Sequence, residues 1–212
     1  MKQKTHYHLI LDRSGSMQDC RSSTISGFNE QLQTIRSLQA RFPEQAITVG
    51  LTVFNESVQH QHFGKDPHSM AALTSEGYQP GGSTALYDAI GSSIALINRQ
   101  LEADLINGAA TVVVVVMTDG YENASRRYTA EGIRSSIREL EGTGKWTFSY
   151  LGATEDAVEV ATDLNFRRSN SMAFVKSEMR DTFNELGRSM DRYLLRKRRG
   201  ESLGNFLEPD GK

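Results

Sequence analysis

The sequence predicts an α/β protein: one open, mostly parallel sheet with a single antiparallel edge strand and helices on both faces. Three observations carry this. Apolar runs of strand length alternate along the chain with segments of helical period. Residues 112–116 are all valine, and a run that is apolar at every position suits a central parallel strand buried on both faces. Residues 57–63 instead set Val58, His60 and His62 against polar neighbours, as an antiparallel edge strand would.

Each element follows in order. Tyr7–Leu11 is the first strand. Ile25, Phe28, Leu32, Ile35, Leu38 and Phe42 mark one face of a helix, which Pro43 ends. Ile47–Phe54 is a strand with Gly50 as a weak point. The Gly- and Pro-containing connection 64–83 is long enough to be functional or to carry a short helix. Leu86, Ile90, Ile94, Ile97, Leu101 and Leu105 form the next helical stripe, followed by the valine strand Ala110–Thr118. Ala130, Ile133, Ile137 and Leu140 give a helix closed by Gly142, then the strand Lys145–Leu151. Thr154 reads as an N-cap, with Glu155 and Asp156 in an acidic first turn. Ser171–Val175 is a last strand, and Met179, Phe183, Leu186, Met190 and Tyr193 define a final helix. Six strands and five helices form one domain, residues 1–199, and the polar tail 200–212 is expected to be disordered.

Composition narrows the function. With 24 Lys+Arg against 26 Asp+Glu, the net charge of −2 supplies no global field for nucleic acid. The single cysteine, Cys20, excludes an intrachain disulfide and a Cys-cluster zinc site. Val112–Met117, the longest apolar run, is far too short to cross a bilayer, and residues 1–12 read as neither signal peptide nor membrane span. The expected compartment is the cytoplasm.

In open α/β sheets, ligands bind outside the carboxyl ends of the strands. Three segments lie there: Asp12-Arg13-Ser14-Gly15-Ser16, Gly81-Gly82-Ser83-Thr84 and Thr118-Asp119-Gly120. Together they offer the carboxylates of Asp12 and Asp119 and the hydroxyls of Ser14, Ser16 and Thr84. An all-oxygen set suits Mg2+, with Mn2+ or Ca2+ as alternatives, rather than zinc or copper. Two carboxylates neutralise a divalent ion and hydroxyls add no charge, so the ion would still attract an external anionic oxygen.

LILDRSGSM, PGGSTALYDAI and VVVMTDGYENAS resemble the three blocks of the von Willebrand factor type A (VWA) domain that build its metal-ion-dependent adhesion site (MIDAS). The resemblance runs from Thr5 to about Leu195, and is strongest to the short, stand-alone bacterial and phage cytoplasmic members, whose usual continuation WTFSYLGATEDA also resembles. It implies a Rossmann-like six-stranded sheet. It also implies that hydroxyls of two serines and a threonine touch the metal, that two aspartates hold it directly or through water, and that a partner's Asp or Glu completes the coordination. Asp12, Ser14, Ser16, Thr84 and Asp119 match these positions.

The expected function is therefore a protein-binding module, not an enzyme, with no catalytic residue. Its partner would present an acidic residue, and Arg13, Met17, Ser83, Tyr87, Tyr121 and Glu122 would form the rim that selects it. The alternatives are a metal-assisted phosphoester hydrolase, or a nucleic-acid-associated module using Arg196–Arg199. That basic run equally suits a solvated helix C-terminus. His60 with His62, and His6 with His8, could each suggest a zinc pair but have no third ligand in the sequence pattern. Cys20 reads as a semi-buried thiol. Gly142-Thr143-Gly144-Lys145 lacks phosphate-loop spacing.

Overall fold

The computed structural model describes residues 2–207. Its strands are β1 (Gln3–Asp12), β2 (Gln45–Phe54), β3 (Val58–Lys65), β4 (Ala110–Thr118), β5 (Trp146–Gly152) and β6 (Ser171–Ala173). Its α-helices are α1 (Arg21–Arg41), α2 (Leu86–Ile106), α3 (Ala130–Gly142), α4 (Ala157–Asp163) and α5 (Met179–Arg199). The strands make one sheet in the order β3-β2-β1-β4-β5-β6. Only β3 runs antiparallel to its neighbour, β2. The α/β class, the six strands and the single antiparallel edge thus match the expectation.

Side-chain alternation divides the core in two. Tyr7, Leu9 and Leu11 of β1, with Val113, Val115 and Met117 of β4, pack under α1 and α5. Ile10, Val112, Val114 and Val116 face α2, α3 and α4. The valine run is buried on both faces because β4 has a layer of helices above and below it. From β1 the chain passes to β2 on one side and later crosses to β4 on the other. The carboxyl ends of β1 and β4 therefore lie at the switch point where open α/β sheets bind ligands.

The structure changes several expectations. His6 and His8 lie fully buried in the central strand. A chain of side chains joins them: Thr48 Oγ1 to His6 Nδ1 (3.0 Å), His6 Nε2 to His8 Nδ1 (3.3 Å), and His8 Nε2 to Thr52 Oγ1 (2.8 Å). Thr52 then meets His60 Nδ1 (2.9 Å) and accepts from Ser93 (3.2 Å). Gly50 is what admits them, since a Cβ there would stand 2.2 Å from His8 Nδ1. It is an accommodation rather than a weak point.

The connection 64–83 carries turns and no helix. It straps α1, held by Arg36 donating to the Pro67 and Met70 carbonyls and by Asn29 pairing with Leu73. The N-cap of α4 is Asp156 rather than Thr154. The tail differs from the expectation of disorder over residues 200–207: Phe206 is fully buried, and its N–H donates to Asn170 Oδ1 (2.7 Å). One large aromatic ring finding a slot in the core outweighs the polar composition around it. Residues 208–212 of the expected tail lie outside the described residues. Among the described residues, no helix is long and apolar enough to cross a membrane.

Candidate metal centre

Asp12 ends β1 with its side chain buried. Its Oδ1 accepts from the Ser14 N–H (2.6 Å) and its Oδ2 from the Thr118 hydroxyl (2.5 Å). The Tyr78 hydroxyl donates to its main-chain oxygen (2.6 Å). Burial pushes the Asp12 pKa up to about 6, against the downward pull of the Thr118 and Ser14 hydrogen bonds. Beyond Ser14 the chain winds into a 3-10 turn, Gly15–Cys20, which brings Ser16 towards β4. The Ser16 hydroxyl donates to Asp119 Oδ1 (2.6 Å), and the Ser14 and Ser16 hydroxyls are 3.1 Å apart.

Thr84 arrives on a loop fastened to its neighbours by backbone. Gly15 N–H donates to the Gly82 carbonyl (3.0 Å), and Gly81 N–H to the Arg13 carbonyl (2.9 Å). Gly82 has φ +76°, a left-handed conformation natural to glycine. Asn123 holds Thr84 itself, its Oδ1 accepting the Thr84 N–H (2.8 Å) while its own N–H donates to the Thr84 carbonyl (3.0 Å).

The three hydroxyls converge. A Cβ built on Gly120 would lie 3.2 Å from Thr84 Oγ1, 3.7 Å from Ser16 Oγ and 4.0 Å from Ser14 Oγ. Glycine at 120 therefore leaves open the space that three oxygen donors surround. The Asp119 side chain is fully covered, and its Oδ2 is held by the Lys176 ammonium in a close ionic contact. The same Nζ donates to the Ser16 carbonyl (2.8 Å). A fully covered carboxylate balanced by a single ammonium, a second carboxylate disfavoured by burial, and hydroxyls around a space kept open by glycine form a donor set that fits a hard divalent cation. Among the described residues, no group of three or more His, Cys, Asp or Glu is placed to hold a metal, and His6 and His8 bond to Thr48 and Thr52.

The proposed rim is only partly rim. Ser83 is exposed, Arg13 and Tyr87 are half-buried, and Tyr121 is 57% exposed. Met17, by contrast, is fully buried, because the 3-10 turn rolls it into the core beside Cys20. Glu122 is occupied within its own loop, accepting from the Tyr87, Ala124 and Ser125 N–H groups and from the Ser125 hydroxyl. Sequence reasoning assigned no role to Thr118, Asn123, Tyr78 or Lys176. Thr118 and Asn123 flank Asp119 in the recognised block, whereas nothing local marks Tyr78 or Lys176.

Two other features settle into structural roles. Cys20 is buried and its Sγ donates to the Met17 carbonyl (3.4 Å), and burial pushes the thiol pKa up, away from reactivity. In the basic run, Lys197 is half-buried and engaged: its Nζ donates to the Lys4 carbonyl (2.7 Å), Thr5 (2.8 Å) and Thr111 (2.9 Å). Arg198 lies over the Phe42 ring at 5.2 Å.

Solved structures share this fold at low identity. The PilB minor pilin from Streptococcus sanguinis aligns with TM-score 0.60 and 13% identity, over 92% of this chain and 63% of that one. Proximal thread matrix protein 1 from the mussel byssus gives 0.58 and 16%, over 89% and 46%. A von Willebrand factor type A protein from Catenulispora acidiphila gives 0.58 and 13%, over 87% and 42%. The chain thus spans less than two thirds of each of these structures. Another structure of the mussel protein, with TM-score 0.54 and 12% identity over 86% and 47%, carries a zinc-occupied MIDAS motif. No curated protein matches the sequence. Residues 8–186, most of the chain, match the family model described as von Willebrand factor type A domain, and the chain belongs to that family.

Proposed function

We propose that this VWA domain is a metal-dependent protein-binding module in which Asp12, Ser14, Ser16, Thr84 and Asp119 hold a divalent cation, Mg2+ in the cell. The observation that carries the reading is the convergence of three hydroxyls over Gly120 beside two covered carboxylates. A cation held there supplies positive charge and an exchangeable position for a carboxylate from a partner protein. The zinc-occupied motif of the mussel protein supports a divalent ion at such a site. The surroundings favour a protein surface. Of the three exposed large apolar side chains among the described residues, Tyr121 (57%) and Val175 (56%) stand within two residues of Asp119 and Lys176 along the chain. We take the module to be non-enzymatic and to act in the cytoplasm, where a lone buried thiol such as Cys20 is at home.

Thr84→Ala is the clean test. Asp12→Ala would also strip the Ser14 N–H and the Thr118 hydroxyl of their acceptor and weaken the fold. Affinity purification with the wild-type chain should recover partners that EDTA and Thr84→Ala both release. Recovery of the same partners at the same level under all three conditions would overturn the reading. The hydrolase alternative predicts metal-dependent turnover of generic phosphoesters that Thr84→Ala abolishes.

A further inference from the structure

Lys176 is not one of the five donors and comes from a different part of the chain, a 3-10 turn (Lys176–Glu178) between β6 and α5. Its ammonium nevertheless reaches the centre, touching Asp119 Oδ2 and donating to the Ser16 carbonyl (2.8 Å). Asp119 has a fully covered side chain, whereas the Lys176 side chain keeps 32% exposure and so has a route to water. An ammonium and a divalent ion cannot both contact one carboxylate oxygen without mutual repulsion.

Resting on the metal reading above, we infer that Lys176 is a tethered counter-cation that competes with the divalent ion for Asp119. Binding of the ion then requires the ammonium to leave, and the residue sets how much free metal loads the centre. The charge-assisted contacts of Lys176 are a cost that metal binding must overcome. Its turn is suited to such release: it is a single 3-10 turn closed by the Glu178 N–H donating to the Val175 carbonyl (2.8 Å), and Val175, Ser177 and Glu178 are exposed.

Isothermal titration of the full chain with MnCl2 tests this. Lys176→Met should bind Mn2+ about tenfold tighter than wild type, since the ammonium's contacts with Asp119 and the Ser16 carbonyl no longer have to be broken. Lys176→Arg, which keeps the charge, should stay near wild type. If wild type binds and Lys176→Met binds equally or more weakly, Lys176 is not a competitor and the inference falls while the metal reading stands. If neither chain binds Mn2+, the metal reading fails and takes the inference with it. A second measurement needs no variant. Acylation of wild-type amines, read by mass spectrometry, should increase at Lys176 on saturation with Mn2+ and stay constant at the exposed Lys65. Unchanged reactivity of Lys176 in protein shown to hold Mn2+ would also overturn the inference.

Discussion

His6 and His8 each sit in the central strand without a neighbouring carboxylate to share a proton, bonded only to neutral groups. Burial first, and the charge of Lys4 second, lower the pKa of His6 to about 3. Burial, with the proximity of His6 and His60, holds His8 well below its ordinary value. An unfolded histidine takes up its proton near pH 6.5, while the native pair resists it. Their contribution to stability is therefore complete above that pH and is lost as pH falls below it. Asp12 works in the opposite sense, since its raised pKa makes the native state take up a proton first as pH drops through about 6. Two deeply buried histidines against one aspartate leave a net loss of stability as pH falls from 6 towards 4.5, to which the lowered pKa values of His60 and His62 add. Urea unfolding across that range should show it, and a flat profile would contradict the neutral, buried pair. The sequence displayed these histidines but not their depth. Alternation along Tyr7–Leu11 gives the face on which they lie, while their burial depends on α2 covering that face and on a glycine in the next strand.

That glycine makes the β1–β2 pair a unit of its own. His8 and Gly50 are register partners, and the imidazole fills the volume a Cβ would need. Gly50→Ala should cost about 2 kcal/mol through overpacking. Much of that penalty should disappear in a His8→Ala background. A double-mutant cycle measured by denaturation decides it, and strictly additive effects would argue against the contact. Other elements differ in how plainly the sequence announces them. The stripes of α1, α2 and α5 were readable because each helix buries a single face, and burial then follows the helical period. The strap across α1 was not, because its order comes from Arg36 and Asn29 bonding to backbone groups distant in sequence. The centre divides the same way. Asp12, Ser14, Ser16, Thr84 and Asp119 stand in compact blocks after strands, where a local pattern is visible. Tyr78 and Lys176 reach it only through the fold.

For the molecule as a whole, the most consequential departure is at the carboxyl end. Phe206 packs near Tyr7 (6.4 Å between ring centroids) and Tyr193 (6.1 Å), so it joins β1 to α5. The backbone leading to it is held as well, by Thr147 donating to the Leu203 carbonyl (2.9 Å) and Asn170 to that of Gly204 (2.7 Å). Phe206→Ala should cost about 3–5 kcal/mol, visible as an earlier urea midpoint. Ending the chain at Gly200 should cost at least as much. An unchanged midpoint in the shortened chain would mean that the segment adds nothing to the core.

The two margins of the sheet also bear on how the protein behaves in a crowd. At one margin, β3 pairs with β2 through a register broken on either side of Leu51 and turns glutamine, histidine and lysine outward. At the other, β6 is only three residues long. An irregular polar margin and a very short one are both poor templates for a foreign strand. A protein of this shape can be concentrated, and can lose part of its structure locally, with little tendency to extend its sheet into a second copy of itself.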